Sequence, residues 1–156
     1  MLNEYKHILV PVDGSKSAES TLLKAAEVAL RNHAKLEILN VINTTSFGFS
    51  YGVIGGNAIN DIVDGEIGYL KDLVKRVETE TGFKDAHMHV RFGSPRNIIS
   101  YDFPKEYQID LIMMGATGKN ATERLLVGSV ASFVNGHAPC DVIVVRTDLN
   151  NKSFKK

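Results

Sequence analysis

The sequence predicts an α/β protein: an open five-stranded parallel sheet, doubly wound, with helices on both faces. Three observations carry this. Short apolar runs without polar alternation recur along the chain, as strands buried on both faces require. Between them lie segments whose apolar residues fall at helical spacing. The resulting β-α-β-α-β-α-β-α-β order demands right-handed crossovers and a helix layer on each side of one sheet.

The elements follow in order. Residues 7–13 form the first strand, since Ile8, Leu9, Val10 and Val12 show no polar alternation. Pro11 lacks a donor, so the ladder is expected to loosen towards the strand's end. Residues 17–20 resemble a capping sequence for a helix carrying Leu22, Leu23, Ala26, Ala29 and Leu30 on one face. The second strand is 36–42, followed by an irregular Gly-, Ser-, Thr- and Asn-rich stretch over 43–57, the kind of long loop often used as a lid. A helix is expected over 58–80, stopped by Gly82, and then a strand over 86–92 with His87 and His89 on one face. His-x-His is a metal-ligand spacing, but no Cys or carboxylate nearby completes a site. A short helix should open at Pro95 and run to about Tyr107, interrupted at Pro104. The fourth strand covers 110–114, a helix covers 129–135 and ends at Gly136, and the fifth strand covers 141–146.

Length and composition restrict the function classes. The 156 residues suit one domain, 1–148, with a disordered basic tail over 149–156. Lys plus Arg equals Asp plus Glu at 18 each, so no global field draws the chain to nucleic acid or anionic lipid. A single cysteine, Cys140, excludes an internal disulfide framework and reads as a small buried hydrophobe. No signal-type stretch and no membrane-length apolar run is visible, so a cytoplasmic location is expected.

The candidate chemistry lies at strand ends, because open parallel sheets bind ligands beyond the carboxyl ends of their strands. The first strand ends in Asp13-Gly14-Ser15. The fourth ends in Met114-Gly115-Ala116-Thr117-Gly118-Lys119, and Gly128-Ser129-Val130 opens the following helix. Glycine lets a ribose or phosphate approach the backbone. A helix start offers unpaired N–H groups and a positive dipole end to an anion. The Ser129 hydroxyl and the Asp13 carboxylate are oxygen donors for Mg²⁺, and Asp13 also suits a ribose hydroxyl. Glycines after strands are often plain turns, and Gly128-Ser129 also fits a simple cap. It is the complete arrangement that favours a phosphate site. It is neither a P-loop nor a dinucleotide fingerprint, since no Gly-x-x-x-x-Gly-Lys-Ser/Thr and no Gly-x-Gly-x-x-Gly follows the first strand.

The opening KHILVPVDGS, the pattern Gly115-x2-Gly118-x9-Gly128-Ser129 and the ending APCDVIVVR resemble the universal stress protein family, in its ATP-binding branch. The likeness extends from about Tyr5 to Arg146. It implies a strand order of 3-2-1-4-5, with the switch point between strands one and four. It also implies bound ATP, or AMP or ADP, with Mg²⁺ possible at Asp13 and Ser129. Pro11, Val12, Asp13 and Val41 would surround base and ribose. Met114, Gly115 and Gly118 would border ribose and phosphates, and Gly128, Ser129 and Val130 would hold the phosphates. Homodimers pairing their last strands, here Val142 to Val145, and an unknown protein partner are further implications. Many relatives carry histidine between the first two glycines, where Thr117 stands here. Phe47, Phe49 and Tyr51 are candidates to close over the ligand. The implied role is a stress or signalling module read through nucleotide binding. A slow ATP hydrolase or nucleotidyl enzyme, and a flavodoxin-like binder of another small ligand, stay open beside it.

Overall fold

The computed structural model describes residues 2–45, 52, 55–119 and 127–154. Five parallel strands, β1 (His7–Pro11), β2 (Lys35–Asn43), β3 (Ala86–Gly93), β4 (Leu111–Gly115) and β5 (Asp141–Val145), form one sheet. Their order is β3-β2-β1-β4-β5, as expected. Helices α1 (Lys16–Asn32) and α2 (Gly56–Thr81) cover one face. On the other lie the helical residues 95–107, termed α3, and α4 (Ser129–His137).

The strands are apolar on both sides because both sides are buried. Ile8, Val10, Leu36, Ile38, Leu111 and Met113 pack under α1 and α2. Leu9, Leu39, Ile112 and Met114 alternate with them and pack under α3 and α4. Each such Leu or Ile contributes about 1.5–3 kcal/mol by leaving water.

Pro11 sets the shape of the sheet at its carboxyl end. Even-numbered residues of β1 direct their backbone groups towards β2, and odd-numbered ones towards β4, as Val12 N–H donating to Leu39 O and His7 O accepting from Asp110 N show. The missing N–H of Pro11 therefore falls on the β4 side. Pairing with β2 continues to Pro11↔Leu39, whereas pairing with β4 stops at Leu9↔Ile112. The strands part on the side where the donor is absent, and this is the switch point of the sheet.

Several local expectations are corrected. Helix α1 begins at Ser15, not in the 17–20 segment. Ser15 is extended, follows Gly14 at φ +86°, and its Oγ accepts the Ala18 N–H at 3.1 Å, while Ser17 is buried. Leu30 lies 40% exposed, off the buried face. Pro104 does not interrupt α3. The helix passes through a π-turn at Ile98–Asp102, where Phe103 N–H reaches back to Ile98 O, and Pro104 sits in the first turn after it, where no intrahelical donor is needed. Gly136 does not end α4. The helix runs to His137 and stops at Ala138, which is extended because Pro139 follows. His137 is thus helical, its Nδ1 bonded to Phe133 O and its ring stacked on Phe133.

The tail expected to be disordered from 149 is folded in its described part. Asp148 N–H donates to Lys152 O, Thr147 pairs with Ser153, and Lys24 Nζ on α1 donates to Thr147 Oγ1 and Asn151 Oδ1. A lysine presenting several donors organises the turn where its composition suggests only solvation. Among the described residues, no helix is long and apolar enough to cross a membrane.

Candidate nucleotide-binding cleft

The gap between β1 and β4 opens into a cleft of about 480 Å³. Pro11, Val12, Asp13, Val41, Met114, Gly115, Gly118, Gly128, Ser129 and Val130, the residues singled out from sequence, all line it. Leu39, Pro95, Ile99 and Ala131 add apolar wall, while Ser15, Asn43, Thr117 and Lys119 add polar groups that the glycine pattern alone did not mark. Phe47, Phe49 and Tyr51 lie outside the described residues.

Asp13 ties two sides of the cleft together. Its Oδ1 accepts the Ser15 N–H and its Oδ2 accepts the Lys119 N–H, both at 3.0 Å. Each oxygen keeps further lone-pair capacity towards the cleft. The Lys119 side chain lies along Gly14, its Nζ 4.0 Å from where a Cβ of Gly14 would stand.

The glycines have different reasons to be glycine. A Cβ on Gly115 would overlap Ser17 Oγ and come within 3.1 Å of Ser17 Cβ. A Cβ on Gly118 would lie 2.7 Å from Asp13 Oδ2. Packing against Ser17, its backbone included, thus already disfavours a side chain at Gly115, whereas at Gly118 one would have to displace the Asp13 carboxylate; neither crowding depends on a ligand. At Gly128 a Cβ would make only ordinary contact, 3.4 Å from Ala116 O, so the protein alone does not require glycine there.

The start of α4 is prepared for an anion. Gly128 caps it in extended conformation, and its own N–H is taken by Ala116 O. The next N–H groups, those of Ser129, Val130 and Ala131, belong to the first turn and have no intrahelical acceptor. All three residues line the cleft. The helix dipole adds a partial positive charge at this end.

At the opposite end of the cleft, Val41 lies two residues beyond the last β1–β2 pair, Pro11↔Leu39. Its peptide faces the same side as that of Leu39, towards β1, because strand residues alternate. Among the described residues neither β1 nor Val12 just beyond it makes a backbone bond to Val41.

His87 and His89 have separate partners. Each ring meets one carboxylate, His87 Nε2 to Asp85 and His89 Nε2 to Glu37, both at 2.6 Å. Among the described residues no group of three or more His, Cys, Asp or Glu is placed to hold a metal. Glu37 is only 5% exposed and was not marked in the sequence, where it and Asn40 are the polar residues inside the apolar run of β2.

The model of the Universal stress protein family matches residues 4–146. This chain belongs to that family. Among its relatives, a putative universal stress protein of Staphylococcus aureus (strain USA300) is 43% identical over 147 residues, covering 92% of this chain and 86% of the relative. The solved universal stress protein UspA from Lactobacillus plantarum superposes with a TM-score of 0.78 at 34% identity, over 93% of this chain and all of that one. A universal stress protein from Archaeoglobus fulgidus, solved in complex with dAMP, matches with a TM-score of 0.62 at 26% identity, over 90% of this chain and 97% of that one.

Proposed function

We propose that this universal stress protein binds an adenine nucleotide, ATP foremost, in the cleft between β1 and β4. The observation that carries the reading is the polarity of the cleft: among the described residues, a Val41 backbone without a partner beside apolar wall at one end, and first-turn helix N–H groups of Ser129 and Val130 without one at the other. A purine fits the first end. The donor N6 and acceptor N1 of adenine match the C=O and N–H of one strand residue, which face the same side. Phosphates fit the second, where backbone donors and the α4 dipole act together. Asp13 lies between them, where ribose hydroxyls would fall. The dAMP complex of the Archaeoglobus fulgidus relative supports the same ligand class.

Asp13 and Ser129 would hold Mg²⁺ together with phosphate oxygens and water, since Mg²⁺ takes hard oxygen ligands and keeps much of its hydration. Bound there, the cation would supply charge neutralisation to the phosphates. The residues of the chain bind and orient. Asp13 is the one carboxylate lining the described cleft, and its two oxygens already hold the Ser15 and Lys119 amides. That arrangement suits retention of the nucleotide as a signal, read by a partner or through a homodimer joined at β5.

Freshly purified protein, denatured and clarified, should release adenine nucleotide into the supernatant, identified by mass spectrometry. The apo protein should show a thermal shift with ATP and Mg²⁺ and release negligible phosphate. A shift with FMN and none with ATP would sink the reading. Many equivalents of phosphate per hour, lost in Asp13→Ala, would replace it with a hydrolase.

A further inference from the structure

The β1–β2 ladder advances by a fixed rule. Lys35 N–H donates to Lys6 O at 2.9 Å, and the first donor past β1, Val12 N–H, reaches Leu39 O at 2.8 Å. With that offset, the next rung would run from Val41 N–H to Val12 O. Val12 O instead accepts from the side-chain amide of Asn40, Nδ2 to O 3.1 Å. The acceptor is a carbonyl, so only the amide nitrogen of Asn40 can occupy this position.

Asn40 is 7% exposed and sits on the α1–α2 face of the sheet, within the strand, opposite Val90 of β3. Its own peptide faces β3, as alternation requires. A buried amide amid apolar strand residues is costly unless bonded, so its placement serves a bond worth having. That bond satisfies Val12 O where the ladder would otherwise have done so, and the Val41 peptide is left facing the cleft.

We infer that Asn40 is a positioning residue that ends the β1–β2 ladder one rung early and so keeps the Val41 peptide available to read the hydrogen-bonding edge of a purine. The inference rests on the nucleotide reading for the identity of what is read, but not for the ladder ending itself. Asn40 does not line the cleft. It acts on base selectivity through Val41, because a residue whose N–H and C=O face one side accepts the 6-amino edge of adenine and mismatches the 6-oxo edge of hypoxanthine.

Two measurements test this on the full chain. The first is amide hydrogen exchange on nucleotide-free protein. The Val41 N–H should exchange at least about tenfold faster than that of Leu39 inside the ladder. In Asn40→Leu, with Val12 O freed to accept it, the Val41 N–H should slow towards the Leu39 rate. Asn40→Ala serves the same purpose if leucine prevents folding, and the Val41–Leu39 comparison in the native protein needs no variant. Equal protection of the two amides in the native protein, or a Val41 rate unmoved in a folded variant, would overturn the inference.

The second measurement is the affinity for AMP and IMP. The native protein should prefer AMP, and the variant should lose that preference by about tenfold while keeping its IMP affinity. A uniform loss for both would mean a purely structural role and would overturn the assignment. If the native protein binds neither, the nucleotide reading falls, and the exchange comparison still decides whether Asn40 ends the ladder.

Discussion

Asp13 Oδ2 accepts the backbone N–H of Lys119 at 3.0 Å, across 106 positions of sequence. The same carboxylate holds the Ser15 N–H through its other oxygen. One side chain thereby fixes the exit of β1 against the turn that follows β4. The two walls of the cleft are joined at their rims as well as through the sheet.

Asp13→Ala should therefore do two things. Loss of both bonds should lower stability by about 1–2 kcal/mol, read by urea denaturation. Affinity for ATP, read by calorimetry, should fall at least about tenfold, because the rim loses its alignment together with a polar group. Unchanged affinity would place the nucleotide elsewhere.

Gly115 should tolerate no side chain. Gly115→Ala would push a methyl into Ser17 on α1, at a cost of about 1–3 kcal/mol. Adding Ser17→Ala removes the Oγ but leaves Cβ at 3.1 Å and the carbonyl carbon at 3.2 Å, so recovery should be partial. A double-mutant cycle measures the coupling. Additive effects would contradict the contact.

Cys140 should be a slow thiol. Burial, with smaller contributions from Asp110 and Asp141, pushes it up to about 11 from an ordinary 9.0. Alkylation by iodoacetamide should be slow at pH 8 and rise about tenfold per pH unit up to pH 10. The folded state resists losing the proton, so the associated stability is present below pH 9 and is lost as pH climbs towards 11. Cys140→Ser should flatten that alkaline decline in melting temperature.

Ile143 on β5 is 42% exposed on an edge strand, a combination that soluble proteins generally cover or charge. With a homodimer joined at β5, Ile143→Lys should convert dimer to monomer in sedimentation velocity while leaving the melting temperature of the protomer nearly unchanged. A dimer that persists would place the interface on another surface.

The sheet and its cleft were legible because their signals are local. Continuous apolar runs at Ile8–Val10 and Leu111–Met114, and glycines at 115, 118 and 128, mark strand ends without knowledge of neighbours. The reasons behind those glycines were not legible. Ser17 and Asp13 crowd Gly115 and Gly118 from distant segments, and only packing brings them there. The bond from Asn40 to Val12 was equally hidden, since an Asn in a strand gives no sign of which carbonyl it meets. Helix limits failed where two local cues competed. Ser17 offered a plausible cap but is buried, while Ser15 follows the left-handed Gly14 and takes the position. Gly136 offered a stop, but Pro139 constrains the chain more strongly and the helix continues to it.

A parallel sheet is a lattice of hydrogen bonds, and Pro11 is a missing lattice point within it. The opening it leaves between β1 and β4 is written into the imino acid and does not depend on how any surface loop is composed. Loops around such an opening can change in length and sequence while the fissure stays where it is. A single imino acid thereby separates where this sheet opens from whatever lines the opening.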